Sequence, residues 1–284
     1  MSPSDRNPFV SVLARQQAFN QRTRDNVEEF APHQRRVTAE IVKAAGRADG
    51  CLAVIGAGNV NDVDLPVLAR AFREVHLTDL DSEALEDAAR RHPDLDSAMR
   101  LYGGVDLSGI AARLDRLSGT SRDDEIDGLV AAAEKPPLPN FGFTYDVVAS
   151  TCLLTQLMNS AVAAVGEGHP RLIDVLDAIR SGHLRLLADL TAAGGTALLF
   201  TDVASSDDVP EIATTPESAL PGLAARLSRE KRCFQGVDPD ALEKQPRGDP
   251  YTASRVRTVQ RIGFWKWRIS KTRTFLVYAV ALQC

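Results

Sequence analysis

A glycine-rich turn is the first part of the sequence that could do chemistry. Gly56-Ala57-Gly58 follows a continuous apolar run at residues 51–55 and leads into a predicted helix. Such a turn lets the backbone approach a ligand closely, and the N-terminus of the following helix favours polar or negative groups. We therefore expect the turn, together with the neighbouring Asn59 and Asp62, to line a ligand site.

An acidic residue is placed to complete a nucleoside site. Asp79 ends the next predicted strand, 21 residues after Gly58. A carboxylate at this position can accept hydrogen bonds from both hydroxyls of a ribose. The turn and the acid together predict a cofactor that contains a nucleoside. The dinucleotide pattern GxGxxG would place its third glycine at Asn61, and this mismatch counts against an NAD site without excluding it.

The elements that must position these residues alternate between strands and helices. Short apolar runs predict strands at 51–55, 75–78, 99–102, 145–149 and 196–200, with helical segments between them. This alternation indicates a doubly wound α/β sheet, in which ligands bind beyond the carboxyl ends of the strands.

The C-terminal part of the chain breaks this alternation. Residues 264–269 and 273–282 are predicted strands with only a short connection between them, so the two must be antiparallel. The second strand is apolar on both faces, and we place it inside the sheet with the Trp265/Trp267 strand at the edge. The predicted fold class is therefore α/β, with a doubly wound, mostly parallel seven-stranded sheet that ends in an antiparallel hairpin.

These motifs, in this order, resemble the class I S-adenosylmethionine-dependent methyltransferase family over roughly residues 50–284. The resemblance implies S-adenosylmethionine as cofactor and methyl transfer by in-line displacement, and we expect a small-molecule acceptor. In this family the acid of the second strand holds the ribose, the segment after the third strand meets the adenine, and the fourth strand passes the methionine end. From the motifs and the resemblance we assign cofactor contacts to Gly56, Ala57, Gly58, Asn59, Asp62, Asp79, Leu80, Asp106, Leu107, Ser150 and Thr151.

The sequence departs from the family at two points. The family often carries an acid two residues before the first glycine, and Val54 stands there. Asp62 could supply the missing carboxylate, as could Asn59 or Asn61 in a neutral role; otherwise residues 59–62 form an ordinary helix N-cap. The Asn/Asp-Pro-Pro-Tyr type of acceptor motif is also absent, because Ser-Thr-Cys-Leu occupies residues 150–153.

Few residues qualify as a catalytic base. A hydroxyl or protonated amine acceptor needs one, and the candidates are His33 and His183. His183 falls within a long predicted helix and is expected to pack beneath the sheet, so His33 is our catalytic candidate. Cys152 is expected to line the cofactor site rather than to act as a nucleophile.

Three regions exceed the minimal sheet domain. We predict an N-terminal helical lid over residues 1–48 and a Rossmann-like methyltransferase domain over 49–284, with insertions at about 106–142 and 203–260. The lid is expected to complete the acceptor pocket and to bury its aromatic residues, which are Phe9, Phe19 and Phe30.

Composition narrows the possible partners. The sequence has no apolar run long enough for a membrane span and no secretory signal, and its four cysteines are widely spaced without a CxxC pair. We therefore expect a cytoplasmic protein with reduced thiols, no metal site, and a monomeric or homodimeric state.

The charge distribution is uneven. Residues 226–273 carry 13 Lys and Arg against 5 Asp and Glu. If extended, residues 254–261 place Arg255, Arg257 and Arg261 on one face, which we interpret as a charged sheet edge rather than an anion site. Nucleic acid is an unlikely partner. The alternatives left open are an NAD(P)-dependent oxidoreductase, an RNA-modifying subunit, and a non-catalytic methyltransferase-like protein.

Overall fold

A seven-stranded sheet organises the part of the chain that the computed structural model describes, which is residues 10–46, 49–117, 122–139 and 141–284. The strand order is β3-β2-β1-β4-β5-β7-β6. The strands are β1 (Cys51–Ile55), β2 (Glu74–Asp79), β3 (Met99–Gly103), β4 (Tyr145–Thr151), β5 (Thr191–Ser205), β6 (Thr258–Arg268) and β7 (Thr274–Gln283).

The pairing pattern confirms the predicted architecture. β1 lies parallel to β2 and β4, β3 is parallel to β2, and β5 is parallel to β4. β7 runs antiparallel between β5 and β6, so β6 forms the edge. β7 is buried at eight consecutive positions, 275–282, as a strand covered on both faces must be. The carboxyl ends of β1, β2 and β4 meet at one edge of the sheet, because Ile55 pairs with both Thr78 and Ser150.

Helices cover both faces of the sheet. They are α1 (Val12–Thr23), α2 (Val27–Ala44), α3 (Leu65–Ala71), α4 (Ser82–Arg90), α5 (Ala111–Leu114), α6 (Asp123–Ala133), α7 (Leu153–Val165), α8 (Leu172–Leu190), α9 (Leu220–Arg229), α10 (Pro239–Gly248) and α11 (Pro250–Ala253). One apolar core lies between the sheet and α2, α3 and α4, and the other lies between the sheet and α5 to α10. The predicted insertions contain α5 and α6 in the first, and α9, α10 and α11 in the second.

The N-terminal segment is two helices with different neighbours. α2 belongs to the core, since Val37 and Ile41 are fully buried in the same cluster as the β1 residues Leu52 and Val54. α1 has only three buried residues, Val12, Asn20 and Thr23, two of which are polar. α1 and α2 therefore differ in how firmly the apolar core holds them. Of the three aromatic residues expected to be buried, Phe30 is buried, Phe19 is partly buried, and Phe9 lies outside the described residues.

The basic segment does not form one extended arginine face, so that prediction was wrong. β6 begins at Thr258, whereas Arg255 lies in the turn after α11 and Arg257 in the bend that follows. Arg255 Nε lies 2.9 Å from Asp189 Oδ1, and its guanidinium carbon lies 4.0 Å from the centre of the Tyr251 ring. The ion pair with Asp189 and the contact with Tyr251 hold Arg255 against the end of α8.

No helix in the described ranges is both long and apolar enough to cross a lipid bilayer. All four cysteines are free thiols.

Candidate active site

The glycine turn lies directly beyond β1 and is tied to β2. Gly56 N and Ala57 N both donate to Thr78 O, at 2.9 and 3.1 Å. Gly56 has a φ of +71°, and a Cβ atom there would lie 2.6 Å from Leu153 Cβ. Both the left-handed backbone and the close approach of α7 require glycine at this position. The predicted turn at residues 56–58 is thus built tightly into the sheet edge.

Asp79 lies beside this turn, as the spacing predicted. Its Oδ2 accepts a hydrogen bond from Gly58 N and its Oδ1 accepts one from Asp81 N, each at 2.8 Å. Burial raises the pKa of Asp79 from 3.8 to about 6, although the backbone N–H donors lower it. Asp81 adds a smaller increase through its own negative charge. Asp79 therefore connects β2 to the turn after β1 while keeping lone pairs free for a further donor.

The two asparagines of the turn contact α1. Asn59 Nδ2 donates to Asn20 O at 2.6 Å, and Asn61 Nδ2 donates to Thr23 O at 2.9 Å. The last carbonyls of a helix lack intrahelical donors, so these amides satisfy the C-terminal end of α1. The N-cap of α3 is instead Asp64, which accepts from Val67 N at 3.0 Å. The alternative that residues 59–62 form an ordinary helix N-cap therefore does not hold.

Strained backbone flanks the site on both sides. Val60 has a φ of +60° and Cys152, which precedes α7, has a φ of +51°. The left-handed region is unfavourable for residues with a Cβ, and most of all for a β-branched residue such as valine. Strain of this kind persists where the surrounding structure imposes it, and it concentrates at ligand sites.

A cleft opens between the turn, α1 and α7. Its lining residues are Gln16, Asn20, Thr23, Phe30, Gly56, Ala57, Gly58, Asn59, Asn61, Asp62 and Gln156. Asp62 is the one residue with a charged side chain among these described lining residues. Asp62 Oδ1 and Gln156 Oε1 are buried and accept no hydrogen bond from any described residue. Both are acceptors, so the cleft is suited to a ligand that carries N–H or O–H donors.

His33 is close to this cleft but does not line it. Its side chain is fully buried; Nδ1 accepts from Trp265 Nε1 at 3.0 Å, and Nε2 lies 3.3 Å from Asp62 Oδ1. The ring also stacks on Trp267, with centroids 4.6 Å apart. Both ring nitrogens therefore face protein groups, and His33 is not placed to take a proton from a bound acceptor.

The β4 residues Ser150 and Thr151 have their hydroxyls engaged within the protein. Ser150 Oγ lies 2.9 Å from His183 Nε2, and burial lowers the pKa of His183 to about 4. His183 thus packs beneath the sheet, as expected. Thr151 Oγ1 donates to Gly56 O at 3.1 Å and joins β4 to the turn. Cys152 is buried, and burial raises the pKa of its thiol, which keeps the thiol protonated.

The segment after β3 is folded around Asp106. Asp106 Oδ1 accepts from Ser108 N, Ser108 Oγ and Gly109 N, and Oδ2 accepts from Ala111 N at 2.9 Å. The carboxylate is therefore occupied by its own loop. Leu107 is buried and lines a second pocket on the α8 side, while Leu80 is partly exposed. A contact between adenine and Asp106, Leu107 or Leu80 stays a prediction.

Sequence reasoning missed Asn20, Thr23 and Gln156. Gln156 follows β4 by one helical turn, so its place near the strand ends was a usable signal. Asn20 and Thr23 reach the site only because α1 folds back over the turn, which no local pattern reveals. In the described ranges, no three His, Cys, Asp or Glu side chains lie close enough together to hold a metal ion.

Comparison with known proteins gives structural neighbours only. No protein-family profile and no curated protein sequence matches the chain. The solved structures that are similar include the YcgJ protein of Bacillus subtilis, with 12% identity and a TM-score of 0.47 over 88% of this chain and 98% of that one. Magnesium protoporphyrin IX methyltransferase of Synechocystis PCC 6803 with bound S-adenosylhomocysteine has 13% identity and a TM-score of 0.44 over 89% and 84%.

The N-methyltransferase NodS of Bradyrhizobium japonicum WM9 has 11% identity and a TM-score of 0.38 over 89% of this chain and 98% of its own. With TM-scores below 0.5, these likenesses carry no argument about this chain. The strand order and the antiparallel β7 between β5 and β6 are the arrangement that the sequence resemblance implied. The described sheet, mostly parallel with an antiparallel C-terminal hairpin, therefore has the architecture predicted from the resemblance to the class I S-adenosylmethionine-dependent methyltransferases.

Proposed function

We propose that the protein is an S-adenosylmethionine-dependent methyltransferase that acts on a small-molecule acceptor. The observation that carries this proposal is the joining of Asp79 to the glycine turn, with Oδ2 2.8 Å from Gly58 N, at the edge of the cleft. This places a strand-end acid, a close-approach backbone and an open cleft at the carboxyl ends of β1 and β2, where α/β sheets bind nucleosides.

The side chains present fit this cofactor. At Gly58 a Cβ atom would lie 3.0 Å from Asn20 Oδ1, so glycine lets α1 pack closely over the turn that lines the cleft. Gln156 Oε1 accepts no hydrogen bond from a described residue, and Asp62 Oδ1 has only the 3.3 Å contact with His33 Nε2. Both oxygens are suited to the ammonium of a methionine group. Asp79 would hold the ribose, with Leu80 and Leu107 on the adenine side. When bound, S-adenosylmethionine supplies a methyl group already activated by the sulfonium.

The role of the chain is therefore mainly positioning. Because the leaving group is activated, catalysis depends on holding an acceptor in line with the methyl carbon and the sulfur. α1 contributes Gln16, Asn20 and Thr23 to the cleft wall, so it limits access of water to the site. Asp62 is the charged group of the wall and would hold the cofactor ammonium, so we assign no base for the substrate; His33, the candidate from the sequence, faces protein groups at both ring nitrogens.

The alternative functions have weaker support. The antiparallel β7 departs from the parallel sheet of dinucleotide-binding domains, and Asn61 turns its side chain to α1 where those domains have glycine. An RNA-binding role has little support from the basic segment, because Arg255 and Arg261 are paired with Asp189 and Glu243.

Ligand binding tests the proposal. We expect S-adenosylhomocysteine to raise the melting temperature and to give a saturable calorimetric isotherm, and NAD to do neither. Asp62→Asn should weaken the S-adenosylhomocysteine isotherm by about tenfold, since hydrogen bonds to charged groups contribute about 1.5–3 kcal/mol. Stabilisation by NAD alone would contradict the proposal and favour an oxidoreductase. Incubation with methyl-labelled S-adenosylmethionine and a panel of small amines and phenols would then identify the acceptor.

A further inference from the structure

A chain of three side chains runs from the edge strand β6 to the cleft. Trp265 Nε1 donates to His33 Nδ1 at 3.0 Å, and His33 Nε2 lies 3.3 Å from Asp62 Oδ1, which lines the cleft. Trp265 and His33 are both buried. These three side chains therefore connect the sheet edge, through α2, to the charged group of the proposed cofactor site.

The hydrogen bond from Trp265 determines which nitrogen of His33 carries the proton. The indole N–H can only donate, so His33 Nδ1 must be an acceptor and the proton of the neutral imidazole must lie on Nε2. Nε2–H then faces the carboxylate of Asp62. The contact is longer and less well aligned than an ideal hydrogen bond, and no other described residue bonds to Nε2 or to Asp62 Oδ1. His33 is therefore held as a donor whose available partner is Asp62.

We propose that Trp265 and His33 are positioning residues that hold Asp62 towards the cofactor cleft. Trp265 selects the Nε2–H tautomer of His33, and this tautomer restrains the Asp62 carboxylate in the orientation that receives the ligand ammonium. The inference rests on the proposed function for the identity of the ligand, but the tautomer of His33 can be measured without any ligand.

Trp267 provides a matched control. It lies on the same strand two residues away, is equally buried and stacks on the same imidazole, yet its Nε1 donates to no described residue. Trp267→Phe removes an indole N–H that makes no hydrogen bond, whereas Trp265→Phe removes the N–H that bonds to His33. Both substitutions shorten a buried tryptophan, so a general packing defect should affect both variants.

The first measurement is the tautomer. In ¹⁵N-labelled protein, long-range imidazole spectra of the wild type should show His33 Nδ1 unprotonated and Nε2 protonated, with His33→Gln used to assign the signals. Trp265→Phe should shift these signals towards a mixture of tautomers, and Trp267→Phe should leave them unchanged.

The second measurement is calorimetric affinity for S-adenosylhomocysteine. We expect Trp265→Phe to weaken binding about threefold to tenfold, the effect of one hydrogen bond, and Trp267→Phe to change it less than about twofold. In the Asp62→Asn background, Trp265→Phe should have no further effect, because the group that it positions is gone.

Three results would contradict the proposal. They are an unchanged His33 tautomer in Trp265→Phe, the same effects in Trp267→Phe, and a loss of affinity from Trp265→Phe that persists in the Asp62→Asn background. A wild-type protein that binds no S-adenosylhomocysteine would contradict the proposed function instead. In that case the tautomer spectra of the two tryptophan variants would still decide whether Trp265 controls His33.

Discussion

The carboxylate of Asp79 has a structural task in addition to any ligand, because it bonds to the backbone N–H groups of Gly58 and Asp81. Removing it should therefore disturb the turn as well as the ribose contact. We expect Asp79→Asn to weaken S-adenosylhomocysteine binding about 10- to 150-fold, in line with the loss of a hydrogen bond to a charged group. Calorimetric titration measures this loss.

Asp64→Asn is the control for that prediction. Asp64 lies in the loop between β1 and α3, which carries the glycine turn, but its side chain caps α3, and asparagine caps helices equally well. Its variant should keep wild-type affinity. If Asp79→Asn also bound the ligand with wild-type affinity, the ribose assignment of Asp79 would be wrong.

The burial of Asp202 leads to a prediction about how the free energy of unfolding depends on pH. It is buried, and burial raises its pKa from 3.8 to about 6, against smaller lowering effects of Thr155 and Arg273. The folded state then binds more protons than the unfolded state between these values, so this group reduces stability as pH rises from about 4 to about 6.

The variant Asp202→Asn removes this penalty. We expect its free energy of unfolding to exceed that of the wild type by up to about 3 kcal/mol at about pH 7.5, and to match it at about pH 4. Urea denaturation at the two pH values measures the difference. A variant that is less stable than the wild type at about pH 7.5 would mean that ionised Asp202 is stabilised by its neighbours.

Residue types predicted the glycine turn and Asp79, but not all the hydrogen-bond partners of the other candidate side chains. The placement of Asp79 beside Gly58 followed from spacing, because strand ends of a parallel sheet meet at one edge. Asp106 also stands after a strand, yet its carboxylate is occupied by four groups of its own loop. His33 was chosen for its chemistry, and only the fold reveals that Trp265 and Asp62 occupy its nitrogens.

At the scale of elements, we expect removal of α1 and removal of α2 to affect the fold differently. α1 is attached chiefly by polar contacts from Asn59, Asn61 and Asp81, which makes it a candidate for local opening. α2 carries core residues such as Val37. We expect a chain that begins at Asp25 to keep its fold, and a chain that begins at Arg47 to lose cooperative unfolding.

Three measurements follow for these truncations. Circular dichroism and thermal unfolding report the fold, and calorimetry reports cofactor affinity, which should fall less than activity because the turn and Asp79 remain. Methyl transfer should be lost when α1 is absent, since water then reaches the site. Full activity of the chain that begins at Asp25 would contradict the lid role of α1. Cooperative folding of the chain that begins at Arg47 would contradict the core role of α2.

The elements themselves were largely predictable, and the differences have physical causes. β7 was placed inside the sheet because both of its faces are apolar. β6 is longer than predicted, since it starts at Thr258 and pairs with β7 through polar residues that an edge strand tolerates. The helical N-terminal segment was predicted, but its division into a polar cover and a core helix depends on contacts with β1 and β6.

At the scale of the whole molecule, acids from elsewhere in the chain offset part of the excess positive charge at residues 226–273, by pairing with Arg226, Arg255 and Arg273. Arg255 illustrates this through Asp189 and Tyr251. Because the pair is partly exposed, we expect Arg255→Ala to lower the free energy of unfolding by about 1 kcal/mol. Urea denaturation measures this change.

A nucleic-acid binding assay tests whether the basic segment binds RNA. Affinity for single-stranded RNA, measured at two salt concentrations, should be the same for Arg255→Ala and the wild type. A marked loss of RNA affinity in the variant, together with a steep salt dependence in the wild type, would instead support the RNA-modifying alternative.

The contact between Trp265 and His33 joins residues 232 positions apart in the chain. Asn26 likewise bonds to Ile269 O across 243 positions. Closing such long loops is slow relative to local helix formation, so these contacts form late in folding. During synthesis, a nascent chain that already displays the glycine turn and Asp79 still lacks β6 and therefore lacks a positioned Asp62. On the proposed role of Trp265 and His33, such a chain binds cofactor less tightly, and full ligand affinity marks a molecule in which β6 has docked on α2.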